Sequence, residues 1–149
     1  MAAAEILEKE YGVSADIWSV TSFNELRREG LETARWNLLH PNEAPRLSYV
    51  EQCLKDRQGP VVAASDYMKI FADQIRQFVP RRYTVLGTDG FGRSDTREKL
   101  RRFFEVDRQH IALAALKSLA EEGKVTTEKV AQAMDRFGLD PDKPSPARV

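Results

Sequence analysis

The chain has a single cysteine, Cys53, and only two histidines, His40 and His110. One thiol excludes a disulfide framework and a cysteine-rich zinc site, and points to a reducing, cytoplasmic setting. Two distant histidines supply neither H-E-x-x-H nor any comparable metal-ligand spacing. Net charge is absent as well: 23 Lys and Arg balance 23 Asp and Glu. A nucleic-acid binder carries a basic excess or stripe, and the short cluster Arg97, Lys99, Arg101, Arg102 is diluted by Glu98 and Glu105, which reads as a solvated helix face. No apolar run approaches the ~20 residues of a membrane span, and the opening Met1–Glu5 lacks the regions of a signal peptide. The expectation is therefore no nucleic acid and no membrane.

What is present is a globular composition, 149 residues with 42% hydrophobic and 31% charged, enough for one domain with its own core. Residues 2–10 read as a helix ended by Gly12. Ala15–Val20 reads as a strand, because Ile17, Trp18 and Val20 suit a pleated, buried surface. Ser22 and Glu25 form a capping box for a helix over Phe23 and Leu26. Gly30 interrupts it, and a second stretch runs from Leu31 to Leu39, before Pro41. After a loop at 41–47, a helix over Tyr49–Arg57 is punctuated by Gly59-Pro60. Pro60–Ser65 is a short apolar run expected to be a parallel strand buried on both faces. Asp66 starts a helix over Tyr67–Phe78, with Met68, Phe71, Ile75 and Phe78 on one face. Tyr83–Leu86 is the next strand. Asp95 with Glu98, Asp107 and Thr126 start three further helices, and Val106/Ile111 and Val125/Val130 act as hydrophobic staples.

Strands alternating with helices imply a parallel sheet covered on both faces, an α/β class. Residues 1–140 form this domain, and 141–149, with three prolines, form a flexible tail.

The search for chemistry finds little. Cys53 and His40 are the one conceivable nucleophile–base pair, and a core thiol beside a loop histidine explains them as well. Asp140-Pro141-Asp142 lacks the ligands of a calcium loop. Trp18, Trp36, Phe71, Phe103 and Phe104 have the spacing of core packing rather than of a stacking platform. The turn Gly87-Thr88-Asp89-Gly90-Phe91-Gly92-Arg93-Ser94-Asp95 leaves two readings open. Its amides and Arg93 could cradle a phosphate at a helix start, although it matches neither phosphate-loop spacing. Equally, it is a tight strand-to-helix turn that needs glycine conformations, and Asp89 and Asp95 place negative charge where a phosphate would sit.

Four blocks, Asp16–Leu26, Arg35–Pro41, Ser65–Lys69 and Val85–Glu98 continuing to Phe103–Asp107, resemble the C-terminal region of the homodimeric, bacterial-type pyruvate dehydrogenase decarboxylating component. Phe91-Gly92-x-Ser94, with Leu100 and Phe103-Phe104, is also similar to transketolases. The resemblance spans residues 4 to 146. It implies a three-layer α/β/α sandwich with a mostly parallel sheet, of transketolase C-terminal type. The family's domain has a further strand ahead of the helix that starts here near Ala2, so that strand is expected to be absent.

The resemblance implies a reaction in which pyruvate is decarboxylated on thiamine diphosphate and a lipoyl group is reductively acetylated. It also implies an oxidoreductase whose thiamine diphosphate and Mg2+ are held by other domains at a dimer interface. The partners it implies are those domains, the second subunit and the dihydrolipoyl acetyltransferase component. Thr88-Asp89-Gly90 lacks the first glycine of the family's cofactor motif and no asparagine pair follows. The resemblance therefore assigns no catalytic, cofactor-binding or metal residue here, only an interface or active-site-rim role for Gly87–Asp95. Two alternatives remain: a stand-alone anion- or nucleotide-binding module using the same turn, and a purely structural interaction domain.

Overall fold

A computed structural model describes all residues, Met1–Val149. Seven helices and two strands follow in order: α1 (Ala2–Tyr11), α2 (Phe23–Leu39), α3 (Tyr49–Leu54), β1 (Val61–Ala64), α4 (Lys69–Asp73), β2 (Tyr83–Leu86), α5 (Arg97–Phe103), α6 (Arg108–Glu121) and α7 (Thr127–Arg136), with short 3-10 turns at Arg76–Phe78 and Pro146–Arg148. The strands pair in parallel, Val61 opposite Tyr83 and Ala64 opposite Leu86.

Alternation along the strands places two cores on opposite faces. On one face Val61, Ala63, Tyr83 and Val85 pack with Val50, Ile75, Phe78 and Val79, under Phe23 and Leu26 of α2. The Tyr83 hydroxyl donates to Ala72 O at 2.8 Å, and burial pushes its pKa up to about 12. On the other face α6 covers the sheet, and the Thr84 and Ser118 hydroxyls meet at 3.1 Å. Behind α6 lies a second cluster, Leu7, Ala112, Leu116 and Ala133, from α1, α6 and α7. Ala112 and Ala133 are fully buried, and side chains this small let the helix backbones approach closely. The arrangement is an α/β/α sandwich, as expected, around a parallel sheet of two strands.

The sheet ends openly at β1. Val61 N donates to Arg82 O (2.8 Å) and Ser65 N to Leu86 O (3.1 Å), so parallel alternation turns the amides of Val62 and Ala64 to the opposite edge. Neither makes a loop, cap or side-chain bond. The expected strand at Ala15–Val20 does not form: Ile17 is 61% and Trp18 50% exposed. Instead Arg57 holds the segment, 3.4 Å from Asp16 and 5.8 Å from the Trp18 ring. A β-prone sequence becomes a strand only beside a partner, and none is offered here.

Three other expectations are corrected. Gly30 does not interrupt α2, which runs unbroken from Phe23 to Leu39. A Cβ at Gly30 would lie 2.5 Å from Phe78 Cε2, so the glycine admits a buried ring. The helix expected over Tyr67–Phe78 is only α4 and a separate 3-10 turn, with Met68 and Phe71 exposed and Ile75 and Phe78 buried. β1 is half-buried with Ala64 exposed, not buried on both faces. Several starts hold: Ser22 accepts from Glu25 N, Asp107 from His110 N and Thr126 from Lys129 N. The start of α5 shifts by one residue, since Thr96 is the cap, accepting from Lys99 N, while Asp95 accepts from Thr96 N at 2.7 Å.

Asp107 ties three helices together. It accepts from His110 N (2.9 Å), His110 Nδ1 (2.7 Å) and Arg102 Nη1 (3.2 Å). Arg102 Nη2 in turn donates to Phe137 O and Gly138 O at 2.9 and 2.6 Å, beyond the end of α7. Arg102 is thus a half-buried joint between segments rather than a purely solvated side chain.

Two predictions follow from packing and charge. Gly30→Ala gains helix propensity but drives a methyl into Phe78, so a net loss of about 1–3 kcal/mol is expected by urea denaturation, recovered in part by adding Phe78→Leu. Burial pushes the Asp107 carboxyl up, but the His110 ring, amide and charge together with Arg102 outweigh it and hold it at about 2. An unfolded aspartate titrates near about 3.9. This group therefore contributes on the order of 2 kcal/mol above about pH 4, lost as pH falls toward 2. Asp107→Asn keeps a cap and should lower the denaturation midpoint at pH 7 while matching the parent near pH 2.

Candidate functional site

In open parallel sheets, ligands and partners meet the loops at the carboxyl ends of the strands. Here those loops are Ser65–Lys69, after β1, and Gly87–Asp95, after β2. The two are locked together. A Cβ at Gly87 would stand 2.6 Å from Tyr67 O and 2.7 Å from Lys69 N, so only glycine lets the backbones touch. Thr88 N donates to Tyr67 O at 2.9 Å, and Thr88 Oγ1 to Asp66 O at 2.9 Å. Asp89 Oδ1 accepts from Lys69 N at 2.9 Å and so caps the approach to α4. From α5, Arg101 donates to both Asp66 oxygens, Nε at 3.0 Å and Nη2 at 2.7 Å. That hydrogen-bonded guanidinium holds the Asp66 carboxyl below the usual carboxylate range. Asp66 therefore ties the loop to α5 instead of starting a helix.

The apex of the turn faces outward. Gly90 has φ +125°, Gly92 meets nothing within 4 Å, and Phe91 between them is 80% exposed. Arg93 lies over the Phe103 ring, its guanidinium carbon 4.3 Å from the centroid. Beside the turn, Tyr67 is 70% exposed and stacks edge-on against Phe71 at 5.7 Å, and Met68 and Ile70 are exposed too. Four large apolar side chains, Tyr67, Met68, Ile70 and Phe71, are thus left exposed on one rim.

Part of the turn is bonded within the protein itself. The Thr88 amide is engaged, and the Asp89 and Asp95 carboxylates are bonded to Lys69 N and Thr96 N respectively. No group of three or more His, Cys, Asp or Glu side chains is placed to hold a metal ion. Two surface depressions lie at Arg27, Leu31 and Arg35 and at Glu10, Lys129 and Arg136. His40 and Cys53 are not partners: His40 Nδ1 sits 2.8 Å from Trp36 O and the ring stacks on Trp36 at 4.2 Å, while the neighbouring Cys53 thiol raises the pKa of the Tyr49 phenol. Of the five aromatics expected in the core, only Phe104 is buried; Trp18 and Phe71 are exposed. The apolar rim at 67–71 escaped the sequence reading because helical spacing made Met68 and Phe71 look internal.

Gly87→Ala is expected to cost about 1–3 kcal/mol, because the methyl meets backbone that cannot swing away. Arg101→Met breaks only a solvent-exposed ion pair and should cost under about 1 kcal/mol. Urea denaturation of the two variants side by side checks the order.

Comparison with known proteins gives a consistent picture. The family model described as the transketolase-like TK C-terminal domain matches residues 1–107. A protein of Cupriavidus necator named pyruvate dehydrogenase E1 component is 60% identical over 149 residues, covering 100% of this chain and 17% of that protein. Proteins of the same name from Pseudomonas aeruginosa and Escherichia coli strain K12 are 58% and 54% identical over 145 residues, covering 97% of this chain and 16% of each. The chain thus spans about one sixth of the length of these relatives. With its α/β/α layers and parallel strands, and with the match running over more than two thirds of its residues, the chain belongs to the transketolase-like C-terminal domain family.

Proposed function

We propose that this chain is the interface-forming C-terminal domain of a homodimeric, thiamine-diphosphate-dependent pyruvate dehydrogenase E1 component, a cytoplasmic oxidoreductase. The longer enzyme decarboxylates pyruvate and reductively acetylates the lipoyl group of a dihydrolipoyl acetyltransferase partner. The observation that carries this is 60% identity along the whole chain to a protein of that name. The thiamine cofactor supplies the electron sink for carbon–carbon cleavage. The side chains here do not fit it or its Mg2+: carboxylates at the strand ends are bonded to Arg101, Lys69 N and Thr96 N, and no metal-ligating cluster forms. No step is therefore assigned to a residue of this chain.

What the domain contributes is shape. The turn Gly87–Asp95, with Phe91 at its apex, and the apolar rim Tyr67–Phe71 form the surface that meets the remaining polypeptide and the second subunit. The open edge of β1 belongs to the same reading: Val62 and Ala64 present unpaired amides where a strand from the longer polypeptide adds to the sheet.

The 149 residues alone should show no pyruvate decarboxylation, and turnover by the purified chain would overturn the proposal. In the longer enzyme, Phe91→Asp with Tyr67→Asp should shift sedimentation from dimer toward monomer and make activity depend on enzyme concentration. Hydrogen exchange provides a third check. The Val62 and Ala64 amides should exchange quickly in the isolated chain and at least about 100-fold more slowly in the longer enzyme.

A further inference from the structure

We propose that the C-terminal segment Asp140–Val149 is a brace that holds the Gly87–Asp95 turn in one shape, with Lys143 and Pro146 as its positioning residues. The need for a brace arises in the turn itself. Residues 90–94 make no backbone hydrogen bond to any loop or cap. A stretch containing Gly90 and Gly92 has wide conformational freedom, so its shape must be set from outside.

The tail supplies that constraint at two places. Directly, the carbonyl oxygen of Pro146 occupies the space a side chain at Gly90 would need: a Cβ there would lie 2.3 Å from Pro146 O and 3.0 Å from Pro146 C. Pro146 is buried and starts the short 3-10 turn Pro146–Arg148. Indirectly, the Phe103 ring carries Arg93 of the turn at 4.3 Å and Lys143 of the tail at 5.3 Å, so one aromatic ring joins the two segments through two cation–π contacts.

Lys143 is fastened beyond the ring. Its Nζ donates to Phe103 O at 2.7 Å and to Glu105 Oε1 at 2.8 Å. Glu105 is the one non-glycine residue with positive φ, +62°, a conformation that needs support from its surroundings. The near end of the tail is anchored as well, because Arg102 holds the carbonyls of Phe137 and Gly138. A segment rich in proline thus lies against the body, tied at both ends of its path.

The consequence for assembly rests on the reading of the turn as the interface. A turn held rigid before contact does not lose its freedom on binding, so a braced Phe91 binds more tightly than a mobile one.

Backbone 15N relaxation on the full 149-residue chain tests the brace without reference to any partner. Order parameters for Phe91, Gly92 and Arg93 should be near about 0.85 in the parent and fall below about 0.6 in Lys143→Met and in a chain ended after Lys143. Those of β1, β2 and α6 should stay unchanged, and Lys143→Arg should restore the turn. Low order parameters in the parent, or a turn equally rigid in both altered chains, would overturn the proposal, and the parent measurement decides even where a variant fails to fold. A rigid parent turn together with an intact dimer in the Phe91→Asp, Tyr67→Asp enzyme would sink the interface reading and leave the brace standing.

Discussion

The absent side chain at Gly87 governs everything at the carboxyl ends of the strands. Tyr67 O and Lys69 N approach to where a methyl would collide with both. That approach lets Thr88 bond to Tyr67 and Asp66, and lets Asp89 reach the amide of Lys69. With two four-residue strands, the sheet has few ladder bonds with which to fix the geometry of its loops. The loop-to-loop bonds extend that order past the last strand residue, and Arg101 carries it on to α5. A methyl at this one position would separate the loops and loosen the bonds that depend on their contact.

A second joint lies across the domain, where Asp107, His110 and Arg102 connect α5, α6 and α7. The Asp107 carboxylate meets His110 and Arg102 with its two oxygens, so the network specifies a geometry and pairs the charge it half-buries. The pair of Asp107 and His110 resembles half of a catalytic triad in its distances, yet no hydroxyl or thiol is hydrogen-bonded to His110. Its carboxylate caps α6 and its histidine closes the first turn. The same side chains that would do chemistry elsewhere here hold helices in register.

Much of this was legible in the sequence where a local cause suffices. Val61–Ala64 and Tyr83–Leu86 are short apolar runs bounded by turn residues, and they are strands. Ser22, Asp107 and Thr126 cap helices because a short oxygen-bearing side chain before an apolar period has one good use. The errors fall where the cause is distant. Gly30 read as a break because nothing local announces the Phe78 ring that occupies its place. Asp95 and Thr96 are both competent caps, and only the bonds actually made distinguish them. Ala15–Val20 has the residues of a strand but no neighbour to bond, so its propensity goes unrealised. The turn Gly87–Asp95 was found by its glycines, whereas its links to Asp66, Arg101 and the tail join residues far apart in the chain and leave no periodic trace.

A strand exposed at a sheet edge ordinarily carries a lysine, a proline or a bulge that discourages pairing. β1 carries none: it reads Val-Val-Ala-Ala, its outward amides are free, and the rim at its carboxyl end is Tyr67, Met68, Ile70 and Phe71. On a free-standing domain that combination would promote aggregation. Under the proposed function the edge is covered by further chain, and an edge so covered needs no protection of its own. The charged groups fit this division. Arg101, Arg102 and Lys143 are bonded to carboxylates and carbonyls of neighbouring segments, and the outermost position at the apex of the turn is left to Phe91. Under the proposed function, ordered loops beneath and apolar area above are what a docking surface requires.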